Sequence, residues 1–387
     1  MGHLPGAAMP LSRRTFLTAL GTGAAVGLSA RGAEAGMAAR LGPLELEAAA
    51  PGLPGLIRLD SNENPHGPGP KVLEAFRGGF GEVNRYPDAA ERRLQGALAR
   101  ALQVREEHLL LGCGSAEVLR ACVQAFTSPT AGLVTAAPSF EFPAVLARLA
   151  GHRVQAVPVT AGLGLDLEAM ARAAEGAGLV FLCNPNNPTA TVHGRQAVKD
   201  FVAQVAKASP KTVILVDEAY HDYVEDPAYH TAIPLALANP QVLVSRTFSK
   251  AHGLAGMRIG YAVGRPETLA RLERRFLPSG ISQLALLGAV ASLEDPAHLA
   301  TQQRLNREAR AFTRAWFEQR GYPVGPSEAN FLTVDLRRDV KGFKAACLQE
   351  GVAVGRPFPP LGTHLRLSIG TRAEMETAVA VFGRLLG

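Results

Sequence analysis

The sequence has few of the features that mark specialised classes of protein. Its 387 residues include only 4 cysteines, and no two of them have the spacing of a zinc-ligand pair, so we expect structural thiols. Its histidines are scattered, with no His-x-x-x-His pair backed by a carboxylate. The net charge of +6 is not gathered in a basic run interleaved with aromatic residues. These absences argue against a metal site and against a nucleic-acid partner.

The first 35 residues lack an apolar run long enough to anchor the chain. Ser12-Arg13-Arg14-Thr15-Phe16-Leu17 is a twin-arginine signature, and a weakly apolar stretch rich in Gly and Ala follows it up to about Ala30. A membrane span needs roughly 20 apolar residues, which is more than this stretch offers. Ala33-Glu34-Ala35 provides a cleavage site before Gly36. We therefore predict a twin-arginine signal peptide over residues 1–35 and a periplasmic or extracellular protein. A mildly basic leader on a cytoplasmic protein is the alternative.

The remaining composition is that of an ordinary globular protein, with hydrophobic residues at 47% and charged residues at 19%. Because single cores stop growing beyond roughly 250–300 residues, we expect two domains. From Ala89 onward, short β-branched runs alternate with longer amphipathic stretches. Apolar runs of strand length occur at residues 133–136, 154–157, 179–182, 213–216, 242–245 and 259–263. Strands that are apolar throughout predict an α/β fold with a mostly parallel central sheet, covered on both faces.

The pattern changes after about Ser282. Helices are predicted at residues 284–292 and 300–319, and short strands near residues 331–335 and 365–369. We therefore predict a large domain at residues 81–281 and a smaller α+β domain at residues 282–387. Residues 36–80 are expected to form an N-terminal arm and part of the small domain. In parallel sheets ligands bind beyond the carboxyl ends of the strands, so polar residues that follow the strands are the candidate site residues.

Lys250 lies just past a predicted strand, among small and apolar residues. Such a setting lowers the pKa of an amine from about 10.4. A neutral or imine-forming amine is what carbonyl chemistry with pyridoxal phosphate (PLP) requires. Arg258 lies eight residues further on and carries a guanidinium fork that can grip phosphate. A surface lysine is the alternative for Ser249-Lys250 taken alone, so the argument depends on the whole segment.

Asp217 comes at the end of the predicted strand at residues 213–216, and Tyr220 follows three residues later. A carboxylate at the end of a buried apolar strand is costly unless it is paired. The protonated ring nitrogen of PLP is such a partner, and it preserves the electron sink of the cofactor. Tyr220 can reach the phenolic oxygen of the ring. An aspartate that caps a helix is the alternative.

Two turns carry further candidate residues. Gly112-Cys113-Gly114-Ser115-Ala116 runs into a helix start, whose free N–H groups and serine hydroxyl suit an anion such as the cofactor phosphate. Alone, a Gly-x-Gly-Ser sequence is usually only a helix entry. Asn184-Pro185-Asn186-Asn187-Pro188-Thr189 has the composition of a turn directly after the strand at residues 179–182.

Together these segments resemble the class I and II aminotransferases, most closely the histidinol-phosphate aminotransferase group. The resemblance runs from about Leu56 to the end of the chain, and it implies a fold type I PLP-dependent transferase. It makes Lys250 the residue that holds PLP as a Schiff base. It also implies that PLP is bound by Gly114, Ser115, Ala116, Asn187, Asp217, Tyr220, Ser249, Lys250 and Arg258. Ala190 stands where the family has glycine, which could alter the approach of this loop to the ring.

Four further positions are implied by the resemblance alone. Phe140 matches the aromatic residue that stacks on the cofactor ring. Arg366 matches the arginine that grips the substrate α-carboxylate, with Asn187 beside it, although an exposed strand arginine is the alternative. Asn64 matches a segment that borders the substrate pocket. Tyr86 matches a tyrosine that reaches the phosphate bound by the neighbouring subunit, which implies a homodimer.

The residues and the resemblance predict a PLP-dependent aminotransferase that moves an amino group between an amino acid and a 2-oxo acid. Lys250 is expected to move the proton as general base and acid, with Asp217 and Tyr220 as the other catalytic residues. A decarboxylase or lyase similar to threonine-phosphate decarboxylase is the alternative, since fold cannot separate the two. A non-catalytic periplasmic binding protein is a third hypothesis, and the intact set of site residues argues against it.

The sequence says less about the amino donor than about the type of reaction. Relatives that accept histidinol phosphate have an arginine directly after the valine of a Gly-x-x-Val run. Here Gly351-Val352-Ala353-Val354 is followed by Gly355, and Arg356 comes one residue late. Recognition of a phosphorylated substrate is therefore in doubt, and we expect a general or aromatic amino acid, with a histidinol-phosphate-like donor as the other option.

Overall fold

The computed structural model describes residues 55–387. The predicted signal peptide lies outside these residues. Eleven β-strands occur in them, and in chain order they are β1 Ile57–Leu59, β2 Leu109–Gly112, β3 Leu133–Ala137, β4 Val154–Pro158, β5 Leu179–Cys183, β6 Val213–Asp217, β7 Val242–Thr247, β8 Gly260–Val263, β9 Phe331–Asp335, β10 Val352–Val354 and β11 His364–Ser368. The six apolar runs that the sequence marks between residues 133 and 263 all form strands of the central sheet.

Twelve α-helices accompany these strands within the same residues. In chain order they are α1 Pro70–Gly79, α2 Asp88–Leu102, α3 Ser115–Phe126, α4 Phe142–Leu149, α5 Leu167–Ala173, α6 Arg195–Ala208, α7 Ile233–Ala238, α8 Pro266–Glu273, α9 Gln283–Leu293, α10 Pro296–Glu318, α11 Val340–Gln349 and α12 Arg372–Leu386. Across residues 55–387, no helix combines the length and the apolar character that crossing a membrane would need.

The central sheet has seven strands in the order β2-β8-β7-β6-β5-β3-β4. The neighbouring pairs from β7 to β4 are parallel, and β8 runs antiparallel to both of its neighbours, β7 and β2. The predicted α/β fold with a mostly parallel sheet is confirmed. Its parallel strands all end at one edge of the sheet, which is where a ligand site is expected.

Side chains alternate between two hydrophobic cores on opposite faces of this sheet, as the two-residue period of a strand requires. On β5, Val180 and Leu182 join one core, while Leu179 and Phe181 join the other. Helices α2, α5, α6, α7 and α9 pack on the first face, and helices α3, α4 and α8 on the second. Both faces are therefore covered, which explains why the strands are apolar throughout.

A further core lies in the C-terminal part of the chain. Strand β9 pairs antiparallel with β11, and the short β1 pairs in parallel with β10, so the N-terminal segment joins this part of the fold. Helices α10, α11 and α12 cover these strands. Helix α9 packs on α1 and α2 and belongs to the first core of the central sheet. The division into domains at residues 80 and 281 stays a prediction.

Candidate active site

The carboxyl ends of three neighbouring strands bring the predicted site residues together. Cys183 at the end of β5 is paired with Asp217 at the end of β6, and Asp217 is paired with Ser245 on β7. Asn187 follows β5 and Lys250 follows β7, so both lie beyond the same edge. This clustering follows from parallel strands of similar length in register.

Lys250 is held at the centre of this group. Its Nζ donates a hydrogen bond to the carbonyl oxygen of Asn62 at 3.0 Å and lies 5.5 Å from the centre of the Tyr220 ring. Burial lowers the pKa of Lys250 to about 8, and the nearby charge of Arg366 acts in the same direction. Burial has this effect because it disfavours the ammonium form. About a tenth of the amine is thus neutral at pH 7, far more than at the ordinary pKa of about 10.4.

Asp217 carries a carboxylate that is almost fully buried, with 3% of the residue exposed. Its Oδ1 accepts a hydrogen bond of 2.6 Å from the hydroxyl of Ser245. Burial raises the pKa of Asp217 to about 6, although the hydrogen bond from Ser245 opposes this. A buried carboxylate whose hydrogen-bond partner is a neutral hydroxyl is suited to a cationic partner, and a protonated ring nitrogen is one.

Tyr220 is also buried, and its orientation is fixed from two sides. Its hydroxyl accepts a hydrogen bond of 3.0 Å from Nδ2 of Asn62, and its ring meets Phe331 edge to face with the centroids 5.1 Å apart. Burial raises the pKa of the Tyr220 phenol above its usual value. Tyr220 is therefore a neutral phenol at physiological pH, and its proton can be donated to a ligand.

A cradle for an anion lies at the start of α3. Gly114 has φ +73° and immediately precedes Ser115, the first residue of this 12-residue helix. A side chain at Gly114 would overlap the guanidinium of Arg258, so only glycine permits this approach. Arg258 donates to the hydroxyl of Ser249 at 3.3 Å and to the carbonyl of Ala255 at 2.8 Å. Helix N–H groups, two hydroxyls and a guanidinium thus converge, and Ala116 is the second residue of the helix.

Arg366 approaches the same space from the C-terminal core. Its guanidinium donates to Oδ1 of Asn187 at 3.1 Å and also contacts the carbonyl of Asp60. Its Nε is buried without a hydrogen-bond partner among residues 55–387. Burial lowers the pKa of Arg366 to about 10. A partly buried cation with an unused donor beside an asparagine amide is the arrangement expected for binding a carboxylate.

Three predicted site residues lie apart from this group or have their polar atoms engaged. Phe140 is 38% exposed, and its loop is tied to the turn after β5 because Ser139 donates to Oδ1 of Asn186 at 2.8 Å. Tyr86 is 85% exposed. Asn64 donates to the carbonyl of Ala251 and accepts from the backbone N–H of His66, each at 3.0 Å. The roles of these three in ring stacking, phosphate binding and substrate binding stay predictions.

The sequence reasoning missed Asn62 as a central residue of the site. Asn62 is 1% exposed, and besides its contacts with Tyr220 and Lys250 its side chain accepts a hydrogen bond of 2.8 Å from Ser368. Its backbone has φ +52°, a conformation that asparagine tolerates better than most residues. Asn62 stands two residues before Asn64 in the same motif, and a preference for asparagine at a left-handed position was the available signal.

Asn330 and Ser245 were also missed. Asn330 donates to the carbonyls of Asn62 at 3.1 Å and Glu63 at 3.2 Å, so it fixes the segment that contacts Lys250. Ser245 is a small polar residue within a strand, and no local pattern distinguishes it from a core residue. Both contribute through contacts between distant parts of the chain.

Ala190, where the family has glycine, keeps the backbone that glycine would adopt. It has φ +60° and its N–H donates to the carbonyl of Asn186 at 2.7 Å. A left-handed alanine costs roughly 1–2 kcal/mol. The residue is fully buried against Tyr220 and Phe331, so its methyl group recovers part of that cost by packing. The turn after β5 therefore accommodates alanine at this position.

Comparisons with known proteins give a consistent result. The sequence pattern of the family described as aminotransferase class I and II matches residues 54–382. A histidinol-phosphate aminotransferase from Symbiobacterium thermophilum is 40% identical over 339 residues, which cover 87% of this chain and 92% of that protein. An aromatic amino acid aminotransferase from Thermobifida fusca is 39% identical over 325 residues, which cover 84% of this chain and 89% of that protein.

A solved structure extends the likeness to three dimensions. The histidinol-phosphate aminotransferase from Sinorhizobium meliloti, in complex with pyridoxal-5'-phosphate, is similar with a TM-score of 0.80 and 28% identity. The match covers 86% of this chain and 90% of that one. The likeness therefore includes both the central sheet and the C-terminal core.

Proposed function

The chain belongs to the class I and II aminotransferases, and from that premise we propose that it moves the amino group of an aromatic amino acid to a 2-oxo acid. Transamination with PLP is the reaction of this family, and the chain has the fold and the motifs for it. The observation that carries the assignment is the meeting of Lys250, Asp217 and the Arg366–Asn187 pair in one site.

The side chains present fit PLP. Asp217 would hold the ring nitrogen, Tyr220 and Asn187 the phenolic oxygen, and Ser115, Ser249 and Arg258 the phosphate. The fit rests on the buried Asp217 carboxylate, whose hydrogen-bond partner is a neutral hydroxyl, and on the cradle that a side chain at Gly114 would fill. When bound, PLP supplies an aldehyde for the amino group and an electron sink for the carbon that loses a proton.

The chain's own groups then bind the donor and move the proton. Arg366 and Asn187 hold the α-carboxylate, which fixes the orientation of the α-carbon relative to Lys250. The Lys250 amine takes the proton from the α-carbon and returns it, and its pKa of about 8 suits both steps near neutral pH. Tyr220, held by Asn62, keeps a donor directed into the site.

An aromatic donor is supported by the side of the site next to Arg366. The ring of Phe358, which is 5% exposed, lies 4.9 Å from the Arg366 guanidinium, so an aromatic side chain packs beside the Arg366–Asn187 pair. A relative at 39% identity is an aromatic amino acid aminotransferase, while another at 40% is a histidinol-phosphate aminotransferase. Gly355 stands where relatives that accept histidinol phosphate have arginine, and Arg356 comes one residue later, which favours the aromatic donor.

A homodimer is the proposed assembly. Tyr86 is 85% exposed, and Phe80 and Val83 nearby are 61% and 56% exposed. Such an apolar patch is typical of a protein–protein contact. Sedimentation of the pure protein tests this: a mass near twice that of the chain is expected, and a Tyr86→Ala variant should lose affinity for PLP if Tyr86 completes the partner's site.

Export by the twin-arginine route is proposed from residues 1–35. Cell fractionation of the host, followed by N-terminal sequencing of the mature protein, tests it. A mature protein that begins near Gly36 in the periplasm or medium supports the proposal. Replacement of Arg13 and Arg14 by lysine should leave the precursor in the cytoplasm.

The main experiment is an absorbance spectrum of the purified protein, recorded before and after a panel of amino acids is added. We expect a visible imine band that phenylalanine or tyrosine converts to the pyridoxamine form. The band should be missing from Lys250→Ala and present in Lys207→Ala, a matched change at an exposed lysine. Release of carbon dioxide without a 2-oxo product would instead identify a decarboxylase.

A further inference from the structure

An ion pair lies close to Arg366 of the candidate site. Arg356, in the loop after β10, forms an ion pair with Glu141, which directly follows the predicted ring-stacking residue Phe140. The two side chains are 23% and 49% exposed. This contact joins the loop after β10 to the segment that carries Phe140.

Arg356 and Arg366 both contact the ring of Phe358. Its guanidinium lies 4.2 Å from the centre of the Phe358 ring, and the guanidinium of Arg366 lies 4.9 Å from the same centre. The charges of Arg356 and Glu141 both act on the pKa of Arg366, in opposite directions. Arg356 and Glu141 therefore lie beside Arg366, the residue that would hold the substrate α-carboxylate.

The position of Arg356 follows from the packing of β10 against β11. The N–H of Gly355 donates to the carbonyl of Arg366 at 3.2 Å, and a side chain at Gly355 would overlap that same carbonyl. Arg356, the next residue, is within reach of Glu141. A second hydrogen bond, of 3.0 Å to the carbonyl of Pro357, helps to hold the guanidinium there.

We propose that Glu141 determines the side-chain specificity of this enzyme by neutralising Arg356, so that donors with neutral side chains are preferred over anionic ones. The Arg356 charge is already balanced, and the carboxylate of Glu141 would repel an acidic or phosphorylated side chain. The inference rests on the proposed aminotransferase function and names Glu141 as the residue that selects within it.

The test compares donors rather than absolute rates. The ratio of kcat/KM for glutamate to kcat/KM for phenylalanine is measured in the wild-type holoenzyme, in Glu141→Gln and in the double variant Glu141→Gln/Arg356→Gln. Removing the Glu141 charge frees Arg356 for the anionic donor, so the ratio should rise on the order of tenfold in the single variant. The gain should disappear in the double variant, because the freed guanidinium is its source.

A matched control removes the same charge from an exposed ion pair elsewhere. Glu350 pairs with Arg384 at 2.6 Å, and Glu350→Gln should leave the donor ratio unchanged. A ratio that does not rise in Glu141→Gln, or a gain that persists in the double variant, overturns the proposal. If the wild type transaminates neither phenylalanine nor tyrosine, the proposed aromatic donor is wrong. The Glu141→Gln ratio can then still be measured for a neutral donor that the enzyme does accept.

Discussion

At the scale of a single residue, burial and a neighbouring charge both lower the pKa of the Lys250 amine. Burial disfavours the ammonium form, and the guanidinium of Arg366 repels it, so the pKa of Lys250 falls to about 8. The carbonyl of Asn62 accepts the hydrogen bond that holds the amine in place at 3.0 Å. The residue is therefore both reactive and oriented before any ligand binds.

Covalent uptake of PLP by the apoenzyme should depend on pH through this amine. The neutral form attacks the aldehyde, so the rate should increase with pH and level off above about pH 8. Stopped-flow absorbance across about pH 6 to 10 measures it, and PLP mixed with a free amine of pKa about 10.4 is the control. Identical profiles for the protein and the free amine would contradict the lowered pKa.

Arg366 acts through the shape of its guanidinium as well as its charge. It contacts Asn187 and the carbonyl of Asp60 while Nε stays without a partner. Arg366→Lys keeps the charge but loses the planar fork, so kcat/KM for the donor should fall on the order of 10- to 100-fold. Steady-state kinetics measure the loss, and an unchanged visible imine band shows that cofactor binding is intact. A loss below threefold would mean that Arg366 does not hold the carboxylate.

At the scale of the strand, the neighbouring carboxylates of Asp217 and Glu218 at the end of β6 contact different residues of β7. Asp217 is bonded to Ser245, whereas Glu218 forms a two-pronged ion pair with Arg246, with N–O distances of 2.9 and 2.8 Å. Successive side chains on a strand point to opposite faces, so these adjacent residues meet different partners. Asp217 therefore has no cationic hydrogen-bond partner and suits the proposed cofactor contact, whereas Glu218 is paired within the fold.

Glu218→Gln should destabilise the protein strongly. Glu218 is 2% exposed and also accepts from Thr231 and from the N–H of Ala232, so its loss leaves the buried Arg246 without a counter-charge. Breaking a buried pair from one side costs about 3–5 kcal/mol. Urea unfolding measures the free energy, and Glu350→Gln in an exposed pair should cost below about 1 kcal/mol. Adding Arg246→Met should recover part of the loss, and equal effects at the two glutamates would refute the argument.

For the whole molecule, the site draws on three separated parts of the chain. The central sheet supplies Asp217 and Lys250, the N-terminal segment supplies Asn62, and the C-terminal core supplies Arg366 and Asn330. Cofactor binding should therefore be coupled to global stability, because PLP in the proposed site would contact a carboxylate that the apoenzyme buries at a cost.

The apoenzyme should lose stability as pH rises, through Asp217. Its folded pKa of about 6 lies above the ordinary value of 3.8, so the folded state binds more protons between these values, and its contribution declines through that window. The loss amounts to about 3 kcal/mol. Apo Asp217→Asn should thus be more stable than wild type at pH 7.5, and the difference should shrink toward pH 4.

Urea unfolding of both apoproteins at the two pH values measures this difference. PLP should then stabilise the wild type more than Asp217→Asn, because only the carboxylate gains a cationic partner. An apo variant that is less stable than wild type at pH 7.5 would show that burial does not raise the pKa of Asp217.

The local pattern of the sequence determined much of the secondary structure of this protein. Apolar runs of strand length and amphipathic helical stretches are properties of neighbouring residues, and they predicted the sheet strands between residues 133 and 263. The strand-end rule then placed Asp217, Asn187 and Lys250 at one edge, and the glycine-rich turn marked the helix start at Ser115. These predictions succeed because each depends on residues close together in sequence.

Only the tertiary structure decided which distant groups meet. Asn62 and Ser368 are 306 positions apart and share a hydrogen bond, and Asn330 fixes Asn62 from 268 positions away. The pairing of Glu141 with Arg356 likewise spans 215 positions. Such contacts leave no periodic signal, because they depend on how separately folded segments pack. The reaction class could thus be predicted from the sequence, whereas the orientation of Lys250 and the charge balance near Phe358 could not.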